Sequence, residues 1–208
     1  MTDKLVLYTN PMSRGRIAHW MLEELGEPYR IEIVRFDRGE HKRPDFLALN
    51  PMGKLPTLVH DGVVITEAAA ICTYLADRFP ARGLAPAFDD PARGTYLRWL
   101  FFGAGCVEPA LTDKGFGRPP VPRPEALGYG SYENVLSTLE TALSPGPYLL
   151  GERFTAADVY VGSQIGWGLF VKTLEPRPAF LRYMERLTQR DAHKRMTAQC
   201  ETLAAQLK

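Results

Sequence analysis

The sequence predicts a small α/β domain with a mixed sheet, followed by an all-α domain. Three observations predict it. Up to about Pro80, segments of strand period alternate with segments of helix period. Beyond Pro91 every periodic segment is helical. Between the two, Ala81 to Pro91 carries the breakers Gly83, Pro86 and Pro91 and reads as a linker. The expected domains are residues 1–80 and 93–208, joined by 81–92. Of 208 residues 45% are hydrophobic, which is enough to bury a core.

In the first part, Leu5 to Tyr8 is a short apolar run, read as a buried strand and ended by the breaker cluster Thr9-Asn10-Pro11. From Arg16 the apolar Ile17, Met21 and Leu25 recur at helical spacing with Ala18 and Leu22 beside them. Gly26 is the natural stop, because glycine adopts the left-handed conformation that closes a helix, and Pro28 lies just beyond. Tyr29, Ile31 and Ile33 then alternate with Arg30 and Glu32, the period of a half-buried strand. A short helix is expected over Pro44 to Leu49. Thr57 to His60, the pair Asp61-Gly62 and Val63 to Ile65 read as a tight hairpin. Glu67 to Phe79 is helical by the spacing of Ile71, Tyr74, Leu75 and Phe79, and Pro80 stops it. The order is βαβ followed by ββα.

In the second part, Tyr96, Trp99 and Phe102 sit three apart, followed by Cys106. Tyr132 to Leu143, Ala156 to Phe170, Ala179 to Thr188 and Ala192 to Leu207 each predict a helix. Gly115 to Pro124 is a Pro-rich loop, and its Pro119-Pro120-Val121-Pro122 fits a rigid surface segment better than a polyproline ligand. Phe154-Thr155-Ala156-Ala157-Asp158-Val159 is a complete helix start, with Thr155 and Asp158 as a capping box and Phe154 with Val159 as a hydrophobic staple.

Composition excludes several functions. The 25 Lys+Arg nearly balance the 24 Asp+Glu, a net charge of +1, so the chain has no field for holding nucleic acid. No stretch approaches the roughly 18 apolar residues of a bilayer span, and Met1-Thr2-Asp3-Lys4 does not open a signal peptide, so a cytoplasmic protein with no membrane partner is expected. Cys72, Cys106 and Cys200 are isolated and lack CxxC spacing, which indicates neither a disulfide framework nor a metal site. Any thiol chemistry would draw its thiol from a ligand.

Three segments carry candidate chemistry. Tyr8 to Arg16 runs from a strand end into a helix start, where outward amides and the helix dipole stabilise an anion or thiolate. Ser13 offers a hydroxyl there. Arg14 and Arg16 oppose the dipole, which points to an anionic ligand, whereas the plainer reading makes Ser13 an N-cap and pairs the arginines with nearby glutamates. Asn50-Pro51-Met52-Gly53-Lys54-Leu55-Pro56-Thr57 leads into a strand. A cis Leu55-Pro56 bond would turn the Leu55 N–H and C=O outward for a short peptide to pair with, and a trans bond would make an ordinary turn. In Thr66-Glu67-Ala68-Ala69, Glu67 either compensates a dipole or accepts from the ammonium of a ligand whose carboxylate sits on the same helix end.

Taken together, the order of elements with Ser13-Arg14-x-Arg16, Asn50-Pro51-x-Gly53-Lys54-Leu55-Pro56, Thr66-Glu67 and Phe154-Thr155-x-Ala157-Asp158 resembles the cytosolic glutathione transferases over nearly the whole chain. The resemblance implies a thioredoxin-like N-terminal domain, a helical C-terminal domain, glutathione as cosubstrate with no permanently bound cofactor or metal, and a homodimer. By position, Ser13 matches the hydroxyl that activates the glutathione sulfur in serine-type members, with Tyr8, Thr9 and Asn10 as competing candidates for that role. Leu55 matches the residue whose backbone pairs with the cysteinyl part, Pro56 the family's cis-proline, Lys54 a residue near the glycyl carboxylate and Glu67 the acid facing the γ-glutamyl ammonium. Arg14 and Arg16 complete the basic surround. Ala68 departs from the pattern, since a serine hydroxyl there usually binds the γ-glutamyl carboxylate. A lost charge-assisted bond of ~1.5 to 3 kcal/mol weakens binding roughly tenfold or more.

A free thiol of pKa about 8.5 is only ~3% thiolate at pH 7, and stabilising the thiolate by ~2.7 kcal/mol raises that to about three quarters. The thiolate would attack a small apolar electrophile, for which Met12, Phe102, Cys106, Phe116, Trp167 and Phe170 are candidate walls, although aromatic spacing on a helix is first a packing signal. The rival readings are a glutathione-dependent disulfide reductase or peroxidase, and a non-enzymatic binding module supported by Ala68.

Overall fold

The computed structural model describes residues 5–119 and 121–207, so Met1 to Lys4, Pro120 of the Pro-rich loop and Lys208 lie outside the described residues. The first part contains β1 (Leu5–Thr9), α1 (Gly15–Leu25), β2 (Arg30–Ile33), α2 (Pro44–Leu49), β3 (Thr57–His60), β4 (Val63–Thr66) and α3 (Ala68–Arg78). The sheet order is β2-β1-β3-β4, with β1 parallel to β2 and β3 antiparallel to both of its neighbours. This is the thioredoxin-like α/β domain expected. Gly26 closes α1 at φ 68° with its N–H on the Leu22 carbonyl, and Asp61 and Gly62 both take positive φ in the hairpin turn. α1 and α3 bury Ile17, Met21, Leu22, Ile71 and Leu75, while Val34, Phe46 and Leu55 form a separate cluster with Tyr8 packed on it.

The helical part contains α4 (Ala92–Phe102), a π-helical turn Gly103–Val107, α5 (Glu108–Gly115), α6 (Tyr132–Leu143), α7 (Ala156–Phe170) and α8 (Pro178–Gln189). The sequence pattern misses α5. Gly103, Gly105 and Pro109 interrupt it, and the π turn rotates the apolar face between α4 and α5. The capping box of α7 is present. Asp158 is fully buried, and its carboxylate accepts from the Thr155 amide at 2.9 Å, the Thr155 hydroxyl at 3.2 Å, the Leu149 amide at 2.9 Å and the Tyr183 hydroxyl at 2.9 Å. Burial pushes this carboxyl up, while those four bonds favour its charged form.

The last helix, α9 (Asp191–Gln206), departs from the expected division at residues 80 and 93. One compact unit runs to Arg82 and is completed by the chain from Arg190 onward, and the other is Gly83–Gln189. α9 packs on α1 through polar groups. Arg190 makes a two-pronged bond to Glu24 at 2.7 and 2.8 Å, Arg195 meets Glu23 at 2.7 Å, and the His193 ring stands edge-on to Trp20. His19 is buried beneath them, 2.7 Å from Gln199 and 3.4 Å from the Cys200 sulfur.

Candidate active site

Sheet register brings the three candidate segments together. Tyr8 of β1 pairs with Thr57 of β3, and Thr57 with Thr66 of β4. The turn after β1, the Leu55-Pro56 approach to β3 and the Glu67 exit from β4 therefore share one end of the sheet. Three adjacent strands span about 10 Å, the length of an extended tripeptide. α1 and α3 both start from this end, and neither has an acidic residue in its first turn. Two positive helix ends thus face a common region without a compensating carboxylate in either first turn.

The turn from Asn10 to Arg14 is built by side chains that bond to backbone. The Asn10 amide donates to the Val34 carbonyl at 3.0 Å and its oxygen accepts from the Met12 N–H at 2.9 Å. The Ser13 hydroxyl donates to the Asn10 carbonyl at 2.7 Å and accepts from the Gly15 N–H at 3.0 Å. Ser13 is one residue ahead of Arg14, which is the N-cap, so it is not the simple cap of the plainer reading. Gly15 is required for space, since a Cβ there would overlap the Thr9 hydroxyl and come within 3.0 Å of Ser13 Oγ. Arg14 is exposed at the site. Burial lowers His19 and His193 and raises the Cys200 thiol, and Arg16 adds to the first two effects and opposes the third, which places its charge toward α9.

Tyr8 lies in a different environment from Thr9, Asn10 and Ser13. It packs with Val34, Phe46 and Leu55, 6.1 Å from the Phe46 ring, and lines a cavity of about 460 Å³ beside Glu32, Glu40 and Asp45. The Asn10 side chain is engaged at both ends, and Thr9 is buried under Gly15. Ser13 is the partly exposed hydroxyl of the turn.

Leu55-Pro56 is cis, and the Leu55 N–H and C=O make no backbone hydrogen bond among the described residues. Buried Asn50 holds this loop, donating to the Lys54 carbonyl at 2.9 Å and to Thr57 Oγ1 at 3.2 Å and accepting from the Met52 N–H at 3.1 Å. Gly53 has φ 61°, and a Cβ there would sit 2.6 Å from the His41 carbonyl. Lys42 Nζ donates to the Met52 carbonyl at 3.2 Å, so Lys42 joins Lys54 on a cationic rim that the sequence pattern did not reveal. Glu67 caps α3 at φ 64°, ψ 117°, a strained conformation for a non-glycine residue, and makes no side-chain cap bond. Ala68 is the first helical residue behind it.

The candidate apolar walls are not core. Met12 is 69% exposed in the first unit. In the helical unit Phe116 and Phe170 are 86% and 76% exposed and Trp167 is half-exposed, so the packing reading of their spacing does not hold. The ends of α5 and α7 are neighbours there, because Gly168 abuts Leu111 and Gly115 abuts Thr173. Phe102 stands edge-on to Trp99, and Cys106 lies in the π turn with its thiol pushed up by burial.

Residues 12–78 match the model of the glutathione S-transferase N-terminal domain, and residues 123–186 that of the C-terminal domain. The chain is 30% identical over 189 residues to a glutathione S-transferase, GST-4.5, of Xanthomonas campestris, covering 86% of this chain and 91% of that one. The chain belongs to the glutathione S-transferase family. A theta class glutathione S-transferase from Xanthomonas axonopodis, solved with glutathione bound, superposes with a TM-score of 0.78 at 29% identity, covering 94% of this chain and 98% of that one. A disulfide-bond oxidoreductase of Escherichia coli, YfcG, is 28% identical over 198 residues, covering 89% of this chain and 91% of its own. Glutathione is the cosubstrate this family membership brings.

Proposed function

We propose that the glutathione transferase activity of this chain runs through Ser13, with glutathione lying across the end of the sheet. The γ-glutamyl end meets Glu67 and the start of α3, the cysteinyl part pairs with the Leu55 backbone, and the glycyl carboxylate meets Lys54 with Lys42 near it. The observation that carries this reading is the convergence of the Ser13 turn, the Leu55 N–H and C=O that make no backbone hydrogen bond among the described residues, and the starts of α1 and α3 on one end of the sheet. Ser13 Oγ keeps the Gly15 N–H as its donor while its own proton swings from the Asn10 carbonyl to the sulfur. A charge-assisted bond to a thiolate outweighs the neutral bond it replaces. Arg14 adds positive potential from the surface. Within the helical unit the exposed Phe116, Trp167 and Phe170, with Phe102 and Cys106, offer apolar surface to an electrophile, and Met12 offers exposed apolar surface within the first unit.

The reading extends to a cytoplasmic homodimer, supported by three unpaired cysteines and by family membership. Among the described residues no helix is long and apolar enough to cross a membrane. Calorimetric titration with glutathione, followed by conjugation of an aryl halide, tests the function. No binding at millimolar glutathione would sink it and leave a binding module of another kind. The similarity to YfcG supports disulfide reduction as a second reading, and faster turnover of disulfides than of aryl halides would favour it.

A further inference from the structure

Arg35, just after β2, joins the end of α9 to the loop that carries the cationic rim. Its guanidinium donates to the Leu207 carbonyl at 2.9 Å and makes a two-pronged bond to Asp37 at 2.8 and 3.1 Å. Only 20% of the side chain is exposed. The backbone of the same residue closes the loop: its N–H donates to Glu40 Oε2 at 2.7 Å, and its carbonyl accepts from the Glu40 N–H at 3.0 Å. The next two residues, His41 and Lys42, are those that press on Gly53 and bond to the Met52 carbonyl. An unbroken set of contacts therefore runs from the last turn of α9 through Arg35, Glu40 and Lys42 to the Met52–Leu55 turn, all within one compact unit.

We propose that Arg35 is a positioning residue for glutathione, through which α9 holds the rim of Lys42 and Lys54 in register with the Leu55 backbone. This rests on the assignment of that turn to glutathione. A rim fixed before the ligand arrives lowers the ordering cost of binding, so loosening it weakens ground-state binding and leaves the chemical step at Ser13 untouched. A charge acting directly on the ligand would also affect binding, but would not change the mobility of the loop.

Steady-state conjugation and amide hydrogen exchange on the full chain, wild type against Arg35→Gln and Arg35→Lys, separate these cases. Arg35→Gln is expected to raise the KM for glutathione by on the order of tenfold, with kcat and the KM for the electrophile unchanged, and to speed exchange over residues 36–42 and 204–207 while β1 and β3 stay protected. Arg35→Lys, able to reach one acceptor, should recover part of the KM. An unchanged glutathione KM in Arg35→Gln overturns the proposal, as does a raised KM without faster exchange. A joint fall of kcat, both KM values and melting temperature overturns it too, as general destabilisation. Wild-type protein that binds no glutathione overturns the site assignment itself and is read separately from the variants.

Discussion

The start of α7 and the starts of α1 and α3 solve the same electrostatic problem in opposite ways. At α7 the chain supplies its own acceptor: the Asp158 carboxyl group is fully buried and takes hydrogen bonds from Thr155, Leu149 and Tyr183. At α1 and α3 the first turns contain no carboxylate, and a partly exposed hydroxyl and a strained Glu67 stand at their edges. A helix start closed by the chain contributes stability, and one left open contributes binding. Variants at the two kinds of start should therefore fail in different assays.

The largest effect is expected at the closed start. Asp158→Ala removes the cap and leaves buried donors of Leu149 and Tyr183 unpaired, a loss of about 3 kcal/mol or more in a denaturant melt. A wild-type melt would break the comparison. At the open start, Ser13→Ala should cost roughly 25-fold in kcat/KM near pH 7, the ratio of about three quarters to ~3% thiolate, with the melt lowered by only about 1 kcal/mol for the two backbone bonds lost at a partly exposed hydroxyl. Ultraviolet titration of bound glutathione should show its thiol returning toward the free value, and full retention of activity would remove Ser13 from the mechanism. A smaller gain is expected from Ala68→Ser, which adds a donor at the start of α3 and should tighten glutathione about tenfold by calorimetry. Unchanged affinity would mean that the ligand carboxylate does not reach this turn.

The smallest effect is a pH dependence of the α1–α9 contact. Burial lowers His19, against the opposing pull of Gln199 and Glu23 and with help from Arg16, and it lowers His193, which faces Trp20, Arg16 and Glu24. The Tyr29 hydroxyl and the Cys200 sulfur also face His19. Both rings bind a proton more readily in the unfolded chain, so their contribution is complete above about pH 6.5 and is lost as pH falls through the lowered folded values. Glu23 is also buried, but bonds from Tyr29, Arg195 and Gln199 hold it below the usual glutamate range, so its loss comes at more acid pH. Urea midpoints should drop modestly from about pH 7 to about pH 5.5, and His19→Gln should flatten that slope. An equal slope in the variant would remove His19 as the cause.

Where local chemistry decides the conformation, the sequence is legible. Gly26, Asp61-Gly62 and the Thr155/Asp158 box each place a backbone feature within a few residues of themselves, and the structure puts them there. Leu55-Pro56 can be read as cis only through the resemblance, since a single X-Pro pair does not distinguish the isomers. Features set by distant partners are hidden. Nothing in the spacing of α9 says that Arg190, Arg195 and Gln199 meet Glu23 and Glu24, so chain order assigns that helix to the wrong unit. Phe116 and Phe170 read as core because periodicity reports a face and not what covers it. The rim at Lys42 escapes because a short polar turn has no periodic signature.

Gly15 imposes a condition on how this chain can vary. Its backbone is ordinary helix, so glycine is needed there for space, chiefly because the Thr9 hydroxyl occupies the volume that a methyl group would take. Positions 9 and 15 are thus a matched pair that can drift only together. An alanine at 15 requires the loss of the hydroxyl at 9, and among divergent descendants of this sequence the two sites should exchange their bulk in concert while Ser13 between them stays fixed.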